Sequence, residues 1–173
     1  QGNMIYQYTK DYAEPKYWIK IKEGKKRVIG NKEDDENTFS FNYYRLVHRR
    51  IASSTNERSL IASIIPPYYF CGDTAQTVKN NLSYKNSLYI VAIFNSFIAD
   101  FEIRKKITSH LDMHFMHTLH IPRLSENSTG QEKKTFDSLV ERAAKLICTT
   151  EEFADLWKEV MGTKWTKNSV VTD

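Results

Sequence analysis

The chain has 173 residues, of which 40% are hydrophobic and 13% aromatic. This apolar content excludes a disordered chain. The length supports one folded core with room for a helical appendage. The formal net charge of +4 permits a nucleic-acid partner without requiring one. The longest apolar run, residues 88–94, is followed closely by Asn95 and Asp100, which excludes a membrane-spanning segment. No membrane partner is expected.

The first residues of the chain and its two cysteines indicate the cellular compartment. The start, Gln1-Gly2-Asn3-Met4, has no charged-then-apolar leader, which predicts a fragment of a longer cytoplasmic protein. Cys71 and Cys148 lie far apart and have no metal-like spacing. Two buried free thiols are therefore expected, with a disulfide as the alternative.

The first third of the chain is predicted to form strands joined by a loop. Residues 4–9 alternate apolar and polar side chains, and after Pro15 residues 17–21 repeat a strand-like composition. Both segments are therefore interpreted as strands. Residues 23–37 are charged and have no periodicity, which indicates an exposed loop.

A second pair of strands is predicted around a polar turn. Residues 39–52 are rich in aromatic and β-branched side chains, which favours one strand or a bent pair. Residues 53–56 are short and polar, as in turns. Residues 60–65 are almost continuously apolar, as in a strand buried on both faces, and Pro66-Pro67 ends that strand because proline donates no ladder hydrogen bond.

The longest predicted element is one buried helix over residues 87–107, capped by Ser87, with apolar residues at helical spacing. Residues 111–121 then alternate in the period of a strand that stops at Pro122. This helix is expected to be scaffold through residue 101.

Two capping-box patterns, at residues 129–132 and 149–152, predict a C-terminal pair of helices, the second ending at Gly162. Strands precede helices, so the predicted class is α+β, with a mixed or antiparallel sheet packed on a buried helix and followed by the helical pair. The predicted units are a first domain over 1–124, C-terminal helices over 125–162 that pack on it and a frayed tail over 163–173.

Catalysis by the chain itself is not expected. Ile65-Pro66-Pro67-Tyr68 is close to the Asn/Asp-Pro-Pro-aromatic motif with which adenine methyltransferases hold a flipped base, but Ile65 has no atom that accepts the amino group. The sequence has no Gly-rich cofactor loop after a strand and no Gly-x-Ser-x-Gly elbow. No catalytic residue is therefore assigned.

Four histidines, His110, His114, His117 and His120, offer an alternative. On a helix three of them share one face, as a zinc site requires. The apolar residues between them have the period of a strand, which favours a polar strand face and no metal. A small metal-dependent enzyme built on these histidines remains the less favoured alternative.

Short basic clusters suggest where DNA would bind. They are Lys25-Lys26-Arg27, Arg49-Arg50 and Arg104-Lys105-Lys106, and three such clusters on one fold would suit a phosphate-tracking surface. Around the polar turn, Arg side chains can bind guanine or phosphate and Asn56 can bind adenine. The competing interpretation is that Asn56, Glu57 and Arg58 only pin the turn.

Residues 49–67 carry the pattern of a known family. Arg49 is followed by Ala52-Ser53-Ser54, by Thr55-Asn56-Glu57-Arg58-Ser59, and by an apolar strand that ends in Ile64-Ile65-Pro66-Pro67. This order resembles the TaqI-like specificity region of adenine-specific DNA methyltransferases, including the fused type IIG restriction-modification enzymes. Ser59 stands where that family usually has Thr, and Arg50 where an acidic residue is common.

Flanking segments resemble the same family in the same order. Residues 2–8 and 17–19 are similar to its entry into the recognition domain, residues 95–104 to its buried helix, and residues 110–122 to the strand after that helix. Asp112 departs from the Asn that the family often has there. The resemblance covers residues 2–124 and leaves the C-terminal helices outside it.

The resemblance implies a DNA target-recognition domain that has no cofactor of its own. Its partners would be double-stranded DNA and a methyltransferase domain of the same parent chain, which uses S-adenosylmethionine to methylate adenine; some members of the family also cleave DNA. A protein-interaction or structural module is the alternative. The predicted DNA-contacting residues are Lys25, Lys26, Arg27, Arg49, Arg50, Asn56, Arg58, Arg104, Lys105 and His110.

Overall fold

The structure, a computed structural model, describes residues 5–14, 17–30, 40–78 and 82–167. It has the predicted α+β class. Its helices and strands, in chain order, are α1 (Ile21–Ile29), β1 (Arg45–Arg49), β2 (Ala62–Ile65), β3 (Ala75–Thr77), α2 (Tyr84–Phe94), α3 (Phe97–Arg104), α4 (Met113–Met116), α5 (Gly130–Ile147) and α6 (Ala154–Met161). Two 3₁₀ turns, Ser40–Asn42 and Glu151–Phe153, precede β1 and α6.

The three strands form an antiparallel sheet in the order β2-β1-β3. Every residue of β2 is buried, which confirms the prediction of a strand covered on both faces. Leu46 and Ile64, paired across β1 and β2, belong to the larger core, whereas Val47 on the other face belongs to a smaller cluster with Ile5. Because side chains alternate across a strand, β1 contributes to both clusters.

The larger core lies between the sheet and the C-terminal helices. Helix α2 packs against β2 on one side and against α5 and α6 on the other. Phe136 and Ile147 of α5 and Trp157 of α6 are buried there, so the predicted helical pair is confirmed as part of this core. Gly162 ends α6 in the left-handed region at φ 70°, as expected for a glycine stop.

Residues just after α6 also pack on the body. The Trp165 indole donates to the Cys148 carbonyl at 2.7 Å, and the Trp157 indole donates to the Thr163 hydroxyl at 3.1 Å. The frayed tail predicted from residue 163 is therefore ordered at its start, because two indole N–H groups find acceptors. Residues 168–173 lie outside the described residues.

The strands predicted near the N-terminus are absent from the part of the chain that the structure describes. Tyr6 and Thr9 form only an isolated bridge around a turn in which Tyr8 has φ 62°. Residues 17–20 have no regular structure, and α1 begins at residue 21 and continues through residues predicted to be a loop. An alternating pattern yields a strand only when another strand pairs with it, and none does here. Residues 31–37 of the predicted loop lie outside the described residues.

The strand predicted over residues 111–121 is also wrong. Residues 113–116 form the short helix α4, and the chain then runs extended without a ladder partner. Its polar groups bind side chains instead: the Tyr89 hydroxyl donates to the Pro122 carbonyl at 2.8 Å, and the His120 N–H donates to Glu102 at 3.4 Å. Side-chain partners therefore replace the ladder that a strand would need.

The single long helix predicted over residues 87–107 is broken into α2 and α3. Ser83, and not Ser87, caps α2 by accepting from Asn86 N–H at 3.2 Å, and Ser96 caps α3 by accepting from Ala99 N–H at 3.2 Å. Short polar side chains compete with helix continuation in this way. The break changes the direction in which α3 points its side chains.

Both cysteines are free, Cys148 buried and Cys71 half-buried, as the sequence favours. Within the four described ranges, no helix combines the length and the apolarity that crossing a bilayer requires.

Asn95, at the break, covers the outer edge of β2. Its amide nitrogen donates to the Ala62 carbonyl at 2.9 Å, and its amide oxygen accepts from the Ala62 N–H at 3.0 Å. This side chain and the Tyr8 N–H, which donates to the same Ala62 carbonyl at 3.1 Å, thus take the place of a neighbouring strand at the sheet edge.

We expect Asn95→Ala to lower the free energy of unfolding by about 1–3 kcal/mol, because it leaves a buried N–H without its acceptor. Asn127→Ala, at an exposed asparagine, is the matched control and should change stability by less than about 0.5 kcal/mol. Urea unfolding of the three proteins measures the difference. Equal midpoints for the two variants would show that Asn95 is not needed at the edge.

His48, in the central strand β1, is 2% exposed, and burial lowers its pKa below the ordinary value of 6.5. Below pH 6.5 the unfolded chain then binds a proton that the folded chain resists, so stability should fall by at most about 1.4 kcal/mol per pH unit from this group. His48→Leu should therefore lose less stability than the parent between pH 7.5 and pH 5. Unfolding curves at both pH values check this, and an identical loss in the two proteins would contradict it.

Candidate nucleic-acid interface

The candidate site is built around a buried carboxylate, that of Asp100 on α3. The residue is 4% exposed, and one of its oxygens accepts from the backbone N–H groups of Ser59 and Leu60 at 2.7 and 2.8 Å. The other oxygen accepts from an Arg104 amino group at 3.0 Å. These bonds tie α3 to the chain just after the polar turn, and each is strengthened by the ionised acceptor.

Arg58 is part of the same network and is 7% exposed. It donates to the Asn95 carbonyl at 2.5 Å, lies 4.0 Å from the Asp100 carboxylate, and stacks 4.7 Å above the centre of the Phe97 ring. A guanidinium held in this way supports the turn, as in the competing interpretation. A contact of Arg58 with DNA stays a prediction.

Arg104 holds the turn from the other side. Its guanidinium donates to the Glu57 carbonyl at 2.7 Å and to the Ser54 carbonyl at 3.4 Å. Within the turn, the Asn56 amide oxygen accepts from the Ser53 N–H at 2.7 Å. The side chains of residues 54–57 are exposed, so the turn presents polar groups to solvent on a backbone fixed at several points.

The two arginines that precede the turn are already engaged. Arg49 is half-buried and donates to the Arg58 carbonyl at 3.3 Å, and burial lowers its pKa. Arg50 binds two carboxylates, those of Asp112 at 2.7 Å and Asp73 at 2.8 Å. The Arg50 hydrogen bond lowers the pKa of Asp112. These carboxylates compensate the charge of Arg50, which leaves less of it for phosphate.

Backbone pairing places His110, the last predicted DNA-contacting residue in the chain, beside the end of β1. The Leu111 N–H donates to the Arg50 carbonyl at 2.7 Å, and His110 forms a bridge with Ile51. His110 and Lys105 are both exposed. Together with the turn they form the recognition rim, which we define as residues 54–57, Lys105 and His110.

Sequence reasoning missed the apolar side of this rim. Phe97 and Ile98 are 83% and 82% exposed, and Phe101 is also exposed, although helical spacing suggested that they belong to a buried helix. The Lys105 ammonium lies 4.0 Å from the centre of the Phe101 ring. The adjacent polar pair Asn95-Ser96 was the signal, since a cap inside an apolar pattern breaks the helix and redirects the residues after the cap.

Lys25, Lys26 and Arg27 belong to a different surface. They lie on α1, which contacts the body where Gly24 meets the Phe70 ring. Phe70 comes after the end of β2, whereas the polar turn precedes its start. The helix that carries this cluster therefore contacts the body at Phe70, which stacks on Phe41, outside the residues of the recognition rim.

The histidines do not converge. His120 lies 2.8 Å from a Glu102 oxygen, whereas His110 contacts the Ser109 hydroxyl. Among the described residues, no group of three or more His, Cys, Asp or Glu side chains is placed to hold a metal ion. Ile65, in the Pro-Pro-Tyr segment, is buried in the smaller core cluster, as expected for the end of a strand.

A scan against models of protein families, a search of curated proteins and a search of solved structures each find no match to this chain.

Arg58→Met should lower the free energy of unfolding by about 1–3 kcal/mol, because the buried Asn95 carbonyl keeps only the Gln7 amide as donor and Asp100 loses a neighbouring positive charge. The matched control is Lys105→Met, which removes an exposed cation next to Phe101 and should cost less than about 0.5 kcal/mol. Thermal unfolding at fixed pH compares them. Similar losses for both variants would argue against Arg58 as a structural pin.

Proposed function

We propose that this chain is a sequence-specific DNA-recognition module that meets double-stranded DNA with the recognition rim. The observation that carries the proposal is the polar turn of residues 54–57, exposed at its side chains and held in place by the charged residues Asp100, Arg58 and Arg104. A fixed backbone lowers the conformational entropy that binding must otherwise overcome.

Asn56 is the residue proposed to read a base. An amide side chain can bind the N6 and N7 atoms of adenine in the major groove at the same time. The Asn56 oxygen already accepts from Ser53 N–H, but a carbonyl oxygen has a second lone pair for a base amino group. The bond to Ser53 would then orient the amide before DNA arrives.

Lys105 and His110 are proposed to bind phosphates beside the turn. Both are exposed and lie near the end of α3 and the bridge after it. Contacts of this kind fix register and orientation on the duplex without carrying sequence information. Phe97 and Ile98, on the same helix, offer apolar surface suited to thymine methyl groups.

The resemblance to TaqI-like specificity domains supports the same function and extends it to the parent chain. On this proposal a separate domain of that chain methylates adenine with S-adenosylmethionine, in the cytoplasm, and this module needs no cofactor. The module would hold the target sequence in register while the other domain acts on the base. Cleavage by the parent chain would likewise be carried out by residues outside this module.

A second candidate function is that of a protein-interaction module. It is favoured by the exposed apolar surface of Phe97, Ile98 and Phe101, since such patches often mark protein contacts. Phe101 adjoins the exposed Lys105 ammonium, and so the DNA proposal accounts for apolar surface and charge together.

Binding to a random pool of duplex DNA, measured at several salt concentrations, tests the proposal. The logarithm of the binding constant should fall linearly with the logarithm of salt concentration, and Lys105→Ala should reduce the slope by about one unit.

Asn56→Ala should instead weaken selection at one base position, at a cost of about 1–3 kcal/mol for the selected site. Lys134→Ala, at an exposed lysine of α5, is the control and should change neither quantity. The proposal fails if the chain does not bind duplex DNA at low salt, or if Lys105→Ala and Lys134→Ala behave alike.

A further inference from the structure

Residues 17–28 place a group of apolar side chains in solvent. Tyr17 and Trp18 are 76% and 88% exposed, and Ile19, Ile21 and Val28 are also exposed. Large apolar side chains exposed in succession mark interaction sites more often than single ones do. We call this segment, residues 17–20 together with α1, the α1 arm.

The α1 arm is also where positive charge accumulates. Residues 17–30 contain five basic residues and one acidic residue, so their net charge of +4 equals that of the whole chain. The acidic residue, Glu23, lies 4.0 Å from the Lys20 ammonium. Such a concentration of charge favours a polyanionic partner.

The contact between Gly24 and Phe70 fixes which side of α1 faces the protein body and which side faces solvent. It is buried, and a Cβ atom at this position would lie 2.3 Å from a Phe70 ring carbon. Phe70 in turn stacks at 4.3 Å on Phe41, which is fully buried. The absence of a side chain at Gly24 therefore lets the helix rest directly on this aromatic pair.

Lys22 and Lys26 lie on the opposite side of the helix. Each is two residues from Gly24, and at 3.6 residues per turn this spacing places both of them on the face turned away from Phe70. Both side chains are exposed. A ligand that approaches α1 from solvent therefore meets two ammonium groups one turn apart.

This arrangement fits a row of phosphates better than a bilayer. A helix that lies in a membrane surface buries its apolar side in the lipid. In α1 the side of Gly24 rests on Phe70, with Ile21 and Val28 beside it and still 52% and 60% exposed. The outward side carries Lys22 and Lys26. Trp18, just before the helix, can pack on a sugar or a base beside such phosphates, as aromatic side chains do in nucleic-acid complexes.

We infer that the α1 arm is a second DNA contact, in which Lys22 and Lys26 bind backbone phosphates and Trp18 packs against the nucleic acid. The inference rests on the proposed function, since it requires DNA to be held at the recognition rim. The arm contacts the body at Phe70, outside the residues of the recognition rim. The arm therefore contacts DNA that flanks the bases read by the turn.

The test compares two double variants of the full chain. Lys22→Ala with Lys26→Ala should reduce the slope of log binding constant against log salt by about two units, and should leave the selected base sequence unchanged. Lys134→Ala with Lys158→Ala, at exposed lysines of α5 and α6, is the matched control and should leave the slope as it is. Circular dichroism of each variant verifies the fold.

Trp18 gives an independent readout. Trp157 is buried and Trp165 half-buried, so acrylamide quenches mainly Trp18, and duplex DNA should reduce that quenching in the parent protein but not change it in Trp18→Phe. The inference that the α1 arm contacts DNA fails if the Lys22 and Lys26 variant keeps the salt slope and DNA does not change the quenching of Trp18, while the chain still binds DNA through Lys105. The proposed function would then remain intact. If vesicles of anionic phospholipid, and not DNA, protect Trp18 from quenching, the arm binds a membrane surface and the inferred DNA contact is wrong. Loss of all duplex binding at low salt would defeat both proposals.

Discussion

The arrangement of this protein depends on one buried carboxylate. Asp100 satisfies two backbone N–H groups at the start of β2 and holds Arg104, while Arg58 lies close by. A buried charge costs free energy unless it is paired and hydrogen-bonded, and here the partners come from both the turn and α3. The carboxylate thus couples the position of a helix to the shape of an exposed loop.

The break between α2 and α3 is the second element of that coupling. Asn95 covers the edge of β2, and Ser96 starts a new helix. The new direction places Asp100 and Arg104 under the turn and leaves Phe97 and Ile98 in solvent. A single straight helix would have presented these side chains along one continuous face. The same two polar residues therefore complete the sheet and create the exposed surface beside the recognition rim.

Some basic residues of this chain are engaged in bonds inside the fold and others are exposed, and the net charge alone does not distinguish them. Arg58 and Arg50 are engaged by carbonyl or carboxylate groups, so they contribute little free positive charge. Lys105 and, on α1, Lys22 and Lys26 are exposed cations on separate parts of the surface. Such a distribution separates the residues that shape the loop from those available to attract a polyanion.

The sequence by itself determined the elements whose signals are local. The buried strand β2 with its proline stop, the polar turn, helices α5 and α6 and the glycine that ends α6 are all predicted by periodicity, caps and turn chemistry within a few residues. Tertiary structure decided the rest. Residues 4–9 and 111–121 have the alternation of strands, but a strand needs a partner. Within the described residues the turn at Tyr6–Thr9 and the Glu102 side chain at His120 bind backbone groups instead. Whether an arginine such as Arg58 reads DNA or supports the loop depends on a carboxylate 42 positions away in the chain, because burial and pairing are set by contacts between distant segments and not by the residue's own neighbours.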